Sequence, residues 1–185
     1  MKSERRAKQG KDAERPKLGK SALRIPDADR CNGTALRKAN RRVSQLYDAV
    51  LAPCGLRSTQ RSILTHIARV GRPSMGELAS SLVLDRSALA HNLKPLERDN
   101  LVRIVVDEND KRTRLAVLTE AGRAKLAEST PLWERAQHCF EAVFGAKKAK
   151  VLRTSLKLLA STEFADAFQQ DEVPGDFRYA PGSKR

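Results

Sequence analysis

Two short stretches hold side chains whose types and spacing suit chemistry on a polyanion. The first is "DENDKRTR" (107–114), in which Lys111, Arg112 and Arg114 follow the acids Asp107, Glu108 and Asp110. A guanidinium grips phosphate bidentately, and an ammonium binds it as a point charge. Asp110 and Arg112 stand two apart, a spacing at which the carboxylate would hold the guanidinium in one orientation. The second is "DRSALAHNLKPLERD" (85–99). At about 100° per residue Leu89, Leu93 and Leu96 share one helix face, and Ser87, His91, Lys94 and Arg98 lie opposite. Ala88 lies on the flank and Asn92 nearer the core edge. Donors, acceptors and two cations, with no acid among them, suit base edges in a major groove. The same residues would equally form the solvated face of an ordinary amphipathic helix.

Catalytic chemistry finds no such support. There is no Ser-centred nucleophile elbow, no phosphate-cradling glycine loop and no pair of carboxylates on an apolar face. The cysteines Cys31, Cys54 and Cys139 are widely spaced and odd in number, which suits a reducing cytoplasm better than a disulfide framework. No Cys/His spacing resembles a zinc site; His138 and Cys139 adjoin, so they point about 100° apart on a helix. No catalytic residue, metal or cofactor is expected. Lys and Arg number 36 against 22 Asp and Glu, a net charge of +14, and that surplus asks for a polyanionic partner. The 31–170 segment is basic in its own right. No run of 18 apolar residues offers a membrane span, and the N-terminus lacks the apolar core of a secretory signal.

The elements that must position these side chains follow from apolar periodicity. Residues 1–30 are polar and basic and are expected to be a disordered tail; 166–185, with Pro and Gly, a flexible one. Leu36, Ala39, Val43, Leu46/Tyr47 and Val50 step by three and four, an amphipathic helix over 34–52 stopped by Pro53 and Gly55. Ser58 is the expected N-cap of a second helix, with Ile63, Leu64 and Ile67 as its stripe. Ser74 caps a short third helix and Asp85 a fourth, in which Pro95 should introduce a bend. The runs 101–106 and 113–118 suit two strands joined by the charged loop. Thr119 caps a fifth helix that Pro131 should kink or split, and a last helix turns Val151, Leu152, Ser155, Leu156 and Leu159 inward. The fold class is mainly α with a small β-hairpin.

The stretch "DKRTRLAVLTEAG" resembles the wing signature of the MarR (multiple antibiotic resistance regulator) family, bacterial winged-helix transcription factors, at Asp110, Arg112, Leu118, Thr119 and Gly122. The stretches "LRKANRRVSQLYDAVLAPCGLRSTQRSIL" and "MGELASSLVLDRSALAHNLKPLERDNLV" are similar to that family's first four helices. The resemblance implies a winged helix-turn-helix DNA-binding lobe at about 56–119 and dimerisation helices at 31–55 and 120–165. It also implies a homodimer on a pseudo-palindromic double-stranded operator, acting as a repressor released by a small anionic or phenolic molecule or by cysteine oxidation. Ala88, Ala90 and His91 stand where family members more often carry Thr or Arg. Asn100 stands where Gly is common, and tolerates the left-handed conformation of a helix end.

On this frame Arg112 is expected in a minor groove, Asp110 as the group that orients it, and Lys111 and Arg114 on phosphates. Arg41, Tyr47 and His66 are expected walls of a ligand site. Cys31 is either a redox-sensitive thiol, activated by a helix N-terminus and by Arg30, Arg37 and Lys38, or a small buried apolar residue. A winged-helix module that binds protein or RNA without an operator remains the alternative function.

Overall fold

The computed structural model describes residues 30–170. Residues 1–29 of the expected 1–30 tail, and residues 171–185 of the expected 166–185 tail, lie outside the described residues. The chain divides into two units, 1–39 and 40–185. The first contributes the opening turns of α1 (Asn32–Leu51), where Cys31 precedes the helix and Thr34 accepts a bond from Arg37 Nη2 at 3.3 Å.

In the second unit α1 ends in a 3-10 turn, Ala52–Cys54, closed by Gly55 at φ 72. Then come α2 (Ser58–Val70), α3 (Met75–Ser81), α4 (Arg86–Arg98), β1 (Val102–Val106), β2 (Arg114–Leu118), α5 (Glu120–Phe144), α6 (Ala146–Leu159) and α7 (Thr162–Gln169). The two strands pair antiparallel, Val102 with Leu118 through Val106 with Arg114. The hairpin is tied to the helical trio by the Ala116 N–H, which donates to Pro73 O at 2.9 Å just before α3.

The core gathers where the helical stripes meet the hairpin. Leu51, Leu64, Ile67, Leu78, Leu89, Leu93, Leu96 and Val102 are all but sealed from solvent. Each such side chain contributes about 1.5–3 kcal/mol on burial. Two tight motifs hold the ends of the trio. The N–H of Val83 donates to Ser80 O and that of Leu84 to Ala79 O; Asn100 and Leu101 repeat the pattern onto Glu97 and Leu96. This double bond-crossing puts the residue after the helix cap in the left-handed region, Val83 at φ 52 and Asn100 at φ 54.

The structure corrects four expectations. Ser58 is the first helical residue of α2, not its cap; Arg57 takes the cap position, and Asp48 Oδ1 on α1 accepts the Ser58 N–H at 2.7 Å. Of the kink or split expected at Pro131, the split does not occur: α5 runs unbroken for 25 residues around the proline. Residues 166–169, expected in the C-terminal tail, are helical, because Ser161 caps α7, its hydroxyl accepting from Phe164 N at 3.2 Å. In α6 only Ala149 is buried; Val151, Ser155, Leu156 and Leu159 face outward from the single chain.

Candidate nucleic-acid interface

The fourth helix is set by Asp85, whose Oδ1 accepts the Ala88 N–H at 2.7 Å. A carboxylate there also meets the positive end of the helix dipole. Leu89, Leu93 and Leu96 turn inward, and Ser87, His91, Lys94 and Arg98 are exposed, with Ala88 half-buried. Asn92 is half-buried and spends its amide on Ala88 O at 2.9 Å. Arg98 departs from the expected acid-free face. Its Nε is 2.9 Å from Asp99 Oδ1, and that bond raises the guanidinium's pKa. Asp99 closes the helix directly after Arg98, so that end of the face is locally neutral. The free cation in the middle of the face is Lys94, which forms no salt bridge among the described residues.

The wing loop is built by its own acids. Asp107 Oδ1 accepts from Asn109 N at 3.0 Å, Asp110 Oδ1 from Arg112 N at 3.0 Å, and Asp110 Oδ2 from the Thr113 hydroxyl at 2.8 Å. The Arg112 N–H is the leading cause that holds the Asp110 carboxyl below its ordinary range, and Thr113 adds to it. The expectation that Asp110 clamps the Arg112 guanidinium is therefore corrected. It binds the backbone of residue 112, and the side chain enters no salt bridge among the described residues. Arg114 is braced differently, with Nη1 donating to Lys111 O at 3.0 Å. Two of the three loop acids thus fold back onto the chain, and Lys111 and Arg112 project.

The close of the signature explains itself at atomic distance. The Thr119 hydroxyl donates to Asn100 O at 2.6 Å and accepts from Gly122 N at 2.9 Å. A Cβ on Gly122 would lie 2.0 Å from Leu101 O. Leu118-Thr119-x-x-Gly122 is thus the seat on which the start of α5 meets the end of α4.

A cavity of about 260 Å³ opens between α1, α2 and α5. Tyr47 and His66, two of the three expected wall residues, line this cavity together with Arg61, Thr65, Arg69 and Trp133. Arg41 does not. Six residues before Tyr47 is about 120° around the same helix, and Arg41 is exposed there. Arg61 is the residue that sequence reasoning missed. It is almost wholly buried, its Nε donates to Ser129 Oγ at 3.1 Å, and its guanidinium carbon lies 4.7 Å from the centre of the Trp133 ring. Burial lowers its pKa. Thr65 Oγ1 is buried without a partner among the described residues. A buried cation beside an orphaned hydroxyl, with Arg69 and His66 nearby and no carboxylate in the wall among the described residues, suits an anion. Nothing in the local sequence marked Arg61, because its partners are about 70 residues away on α5.

Cys31 is exposed in the single chain, unlike the buried Cys54. Thr34 N–H reaches its Sγ at 3.4 Å, and bonding to Thr34 is the largest cause lowering the thiol's pKa; Arg37 contributes less. Among the described residues no group of His, Cys, Asp and Glu could hold a metal, and no helix is long and apolar enough to cross a membrane.

Comparison with known proteins matches residues 55–113 to the model of the MarR family. The transcriptional regulator MosR of M. tuberculosis, solved with DNA, is 34% identical, with a TM-score of 0.64 over 74% of this chain and 97% of MosR. The repressor CouR of Rhodococcus jostii RHA1, solved on a 23-mer duplex, is 26% identical, with a TM-score of 0.66 over 76% of this chain and all of CouR. BadR of Rhodopseudomonas palustris, a transcriptional activatory protein, is 34% identical over 98 residues, 46% of this chain and 56% of BadR, so the match spans little more than half of that relative.

Proposed function

Because the chain belongs to the MarR family of winged-helix transcriptional regulators, we propose that it acts as a dimeric repressor on double-stranded DNA, without catalysis and in the cytoplasm. The observation that carries this reading is one lobe presenting two basic features side by side: the exposed Ser87, His91 and Lys94 of α4, and a wing in which two of the three acids bond back to the loop while Lys111 and Arg112 project. In this reading α4 lies in the major groove of a half-site, and Arg112 enters the adjoining minor groove. Lys111 and Arg114 meet phosphates, and Arg98, paired to Asp99, contributes least.

Two copies are needed. Leu46, Val143, Phe144, Val151, Leu156, Leu159 and Phe168 are large apolar side chains left uncovered on the helices outside the lobe. Covering them across a two-fold axis sets two lobes on half-sites about one helical turn apart, a pseudo-palindromic operator. The anion cavity around Arg61 supplies the release step: a small aromatic or other organic anion there favours a lobe position that does not fit the operator. To matter it needs about 1–3 kcal/mol of differential affinity between the two states. Oxidation of Cys31 is a second input, supported by its exposure and its lowered pKa.

Binding of the chain to a pool of genomic duplex fragments, across a salt series, tests the reading. Selection of one fragment containing an inverted repeat, with affinity falling steeply as salt rises, is the expected result. Equal binding to all fragments, or none to any, would favour instead a winged-helix module for protein or RNA. Both CouR, a repressor, and BadR, an activatory protein, are relatives, so transcription from the selected promoter in cells lacking the gene fixes the sign: it should rise.

A further inference from the structure

A second basic cavity, of about 320 Å³, lies between α4 and the wing. Arg86 reaches it from the first turn of α4, Arg112 and Arg114 from the wing, and Ser74 to Gly76 from the start of α3. Among the described residues no carboxylate lines it. The acids nearest in sequence are committed elsewhere: Glu77 Oε2 accepts from Ser74 N at 2.7 Å, Asp85 from Ala88 N, and Asp110 from Arg112 N and Thr113. Arg86 and Arg112 enter no salt bridge among the described residues, and Arg114 spends only Nη1, on Lys111 O. Guanidinium groups gathered round one cavity without a counter-charge repel each other until an anion joins them.

The position of the cavity names the anion. On a duplex, the strand between a major groove and the neighbouring minor groove is sugar-phosphate backbone. A cavity between the helix that enters one and the wing that enters the other must face that strand. We propose that it seats a single backbone phosphate, held by Arg86 from the α4 side and Arg114 from the wing side, with Arg112 left to extend past the strand. A phosphodiester offers two free oxygens and one negative charge, which matches two guanidinium groups from different elements. Arg86 is then a positioning residue: it reads no base, and it fixes how far along the duplex the wing sits from the helix. The proposal rests on the duplex-binding reading above.

The test compares wild type with Arg86→Gln and Arg86→Lys on the tightest duplex selected from a random pool and on mixed-sequence duplex. Arg86 is exposed and enters no salt bridge among the described residues, so the melting temperature should hold. Arg86→Gln should weaken both duplexes by about tenfold and lower the salt slope by about 0.9, one phosphate's worth. Arg86→Lys should recover the slope and only part of the affinity, because the fork is lost. Neutral methylphosphonate, placed at one phosphate at a time along each strand, should reveal one position per half-site that costs wild type affinity and costs Arg86→Gln nothing more. Wild type that binds the duplex while Arg86→Gln matches it in affinity and slope overturns the seat and leaves DNA binding standing. Loss confined to the selected duplex with an unchanged slope would make Arg86 a base reader and overturns it too, as would a methylphosphonate scan with no position that the two proteins treat differently. Wild type that binds no duplex at all removes the duplex-binding reading itself, and the seat with it.

Discussion

At the tip of the wing one carboxylate sets the path of the backbone. Asp110 receives the Arg112 N–H and the Thr113 hydroxyl, so its ionised form shapes the turn that aims Arg112 outward. Replacing it by Ala should loosen that turn, with faster hydrogen exchange at the Arg112 amide and weaker DNA binding, while the melting temperature barely moves. The carboxyl's pKa is lowered in the fold. Its contribution is therefore full above the ordinary carboxylate value, and is lost as pH falls through the lowered one; Arg112 amide protection should follow that curve. Arg112→Ala should cost about tenfold or more in affinity for the selected duplex, with the dimer intact. Lys111→Ala should cost less and lower the salt slope by about one phosphate's worth. Affinity for Arg112→Ala within twofold of wild type would reduce the loop to a solvated surface. The spacing of Asp110 and Arg112 suggests a pair of side chains, and the structure has a side chain on a backbone N–H instead. Spacing does not separate the two, because side chains two apart in a turn face backbone donors as readily as each other.

At the scale of elements, the two left-handed residues behave differently. Asn100 suits its position, whereas Val83 is β-branched at φ 52 and 68% exposed, so it gains little packing for its strain. Val83→Gly should stabilise the fold by about 1 kcal/mol in urea unfolding, less if glycine's unfolded-chain entropy dominates. A lowered midpoint would count against strain at that turn. Gly122→Ala works in the opposite direction: its Cβ would strike the carbonyl of Leu101, and a loss of about 3 kcal/mol should appear in the same measurement. Periodicity found the first six helices and the hairpin, since Leu89, Leu93 and Leu96 can share a face in only one way, but it did not find α7 (Thr162–Gln169). It missed the start of α2, because the Ser58 N–H is answered by Asp48 ten residues earlier, from another helix. The same distance hid Arg61, and it misplaced Arg41, chosen for its neighbours and not for its face.

For the whole molecule, the uncovered apolar side chains decide the assembly. A groove of about 370 Å³ between α1 and α5, walled by Leu46, Val50, Phe140, Val143 and Phe144, opens beside them. Val143 is 90% exposed in the single chain. Light scattering at micromolar concentration should give twice the 20.5 kDa chain mass. Val143→Glu should move the mass toward one chain and leave the wing and α4 folded, because no lobe residue depends on it. Wild type running as a single chain would remove both the dimer and the palindrome.

Trp133 is the chain's only tryptophan, and the Arg61 guanidinium rests 4.7 Å from its ring centre. The cavity proposed above to take an anion therefore carries its own optical probe. Indole emission responds to the field of a charge held against the ring, and with one indole in the chain every photon excited at its red edge reports from that wall. An anion that draws Arg61 away should shift the emission band in proportion to occupancy, giving an unlabelled titration in which duplex DNA, which does not fluoresce, can be present throughout. Arg61→Met should set the band at a fixed position that no anion changes.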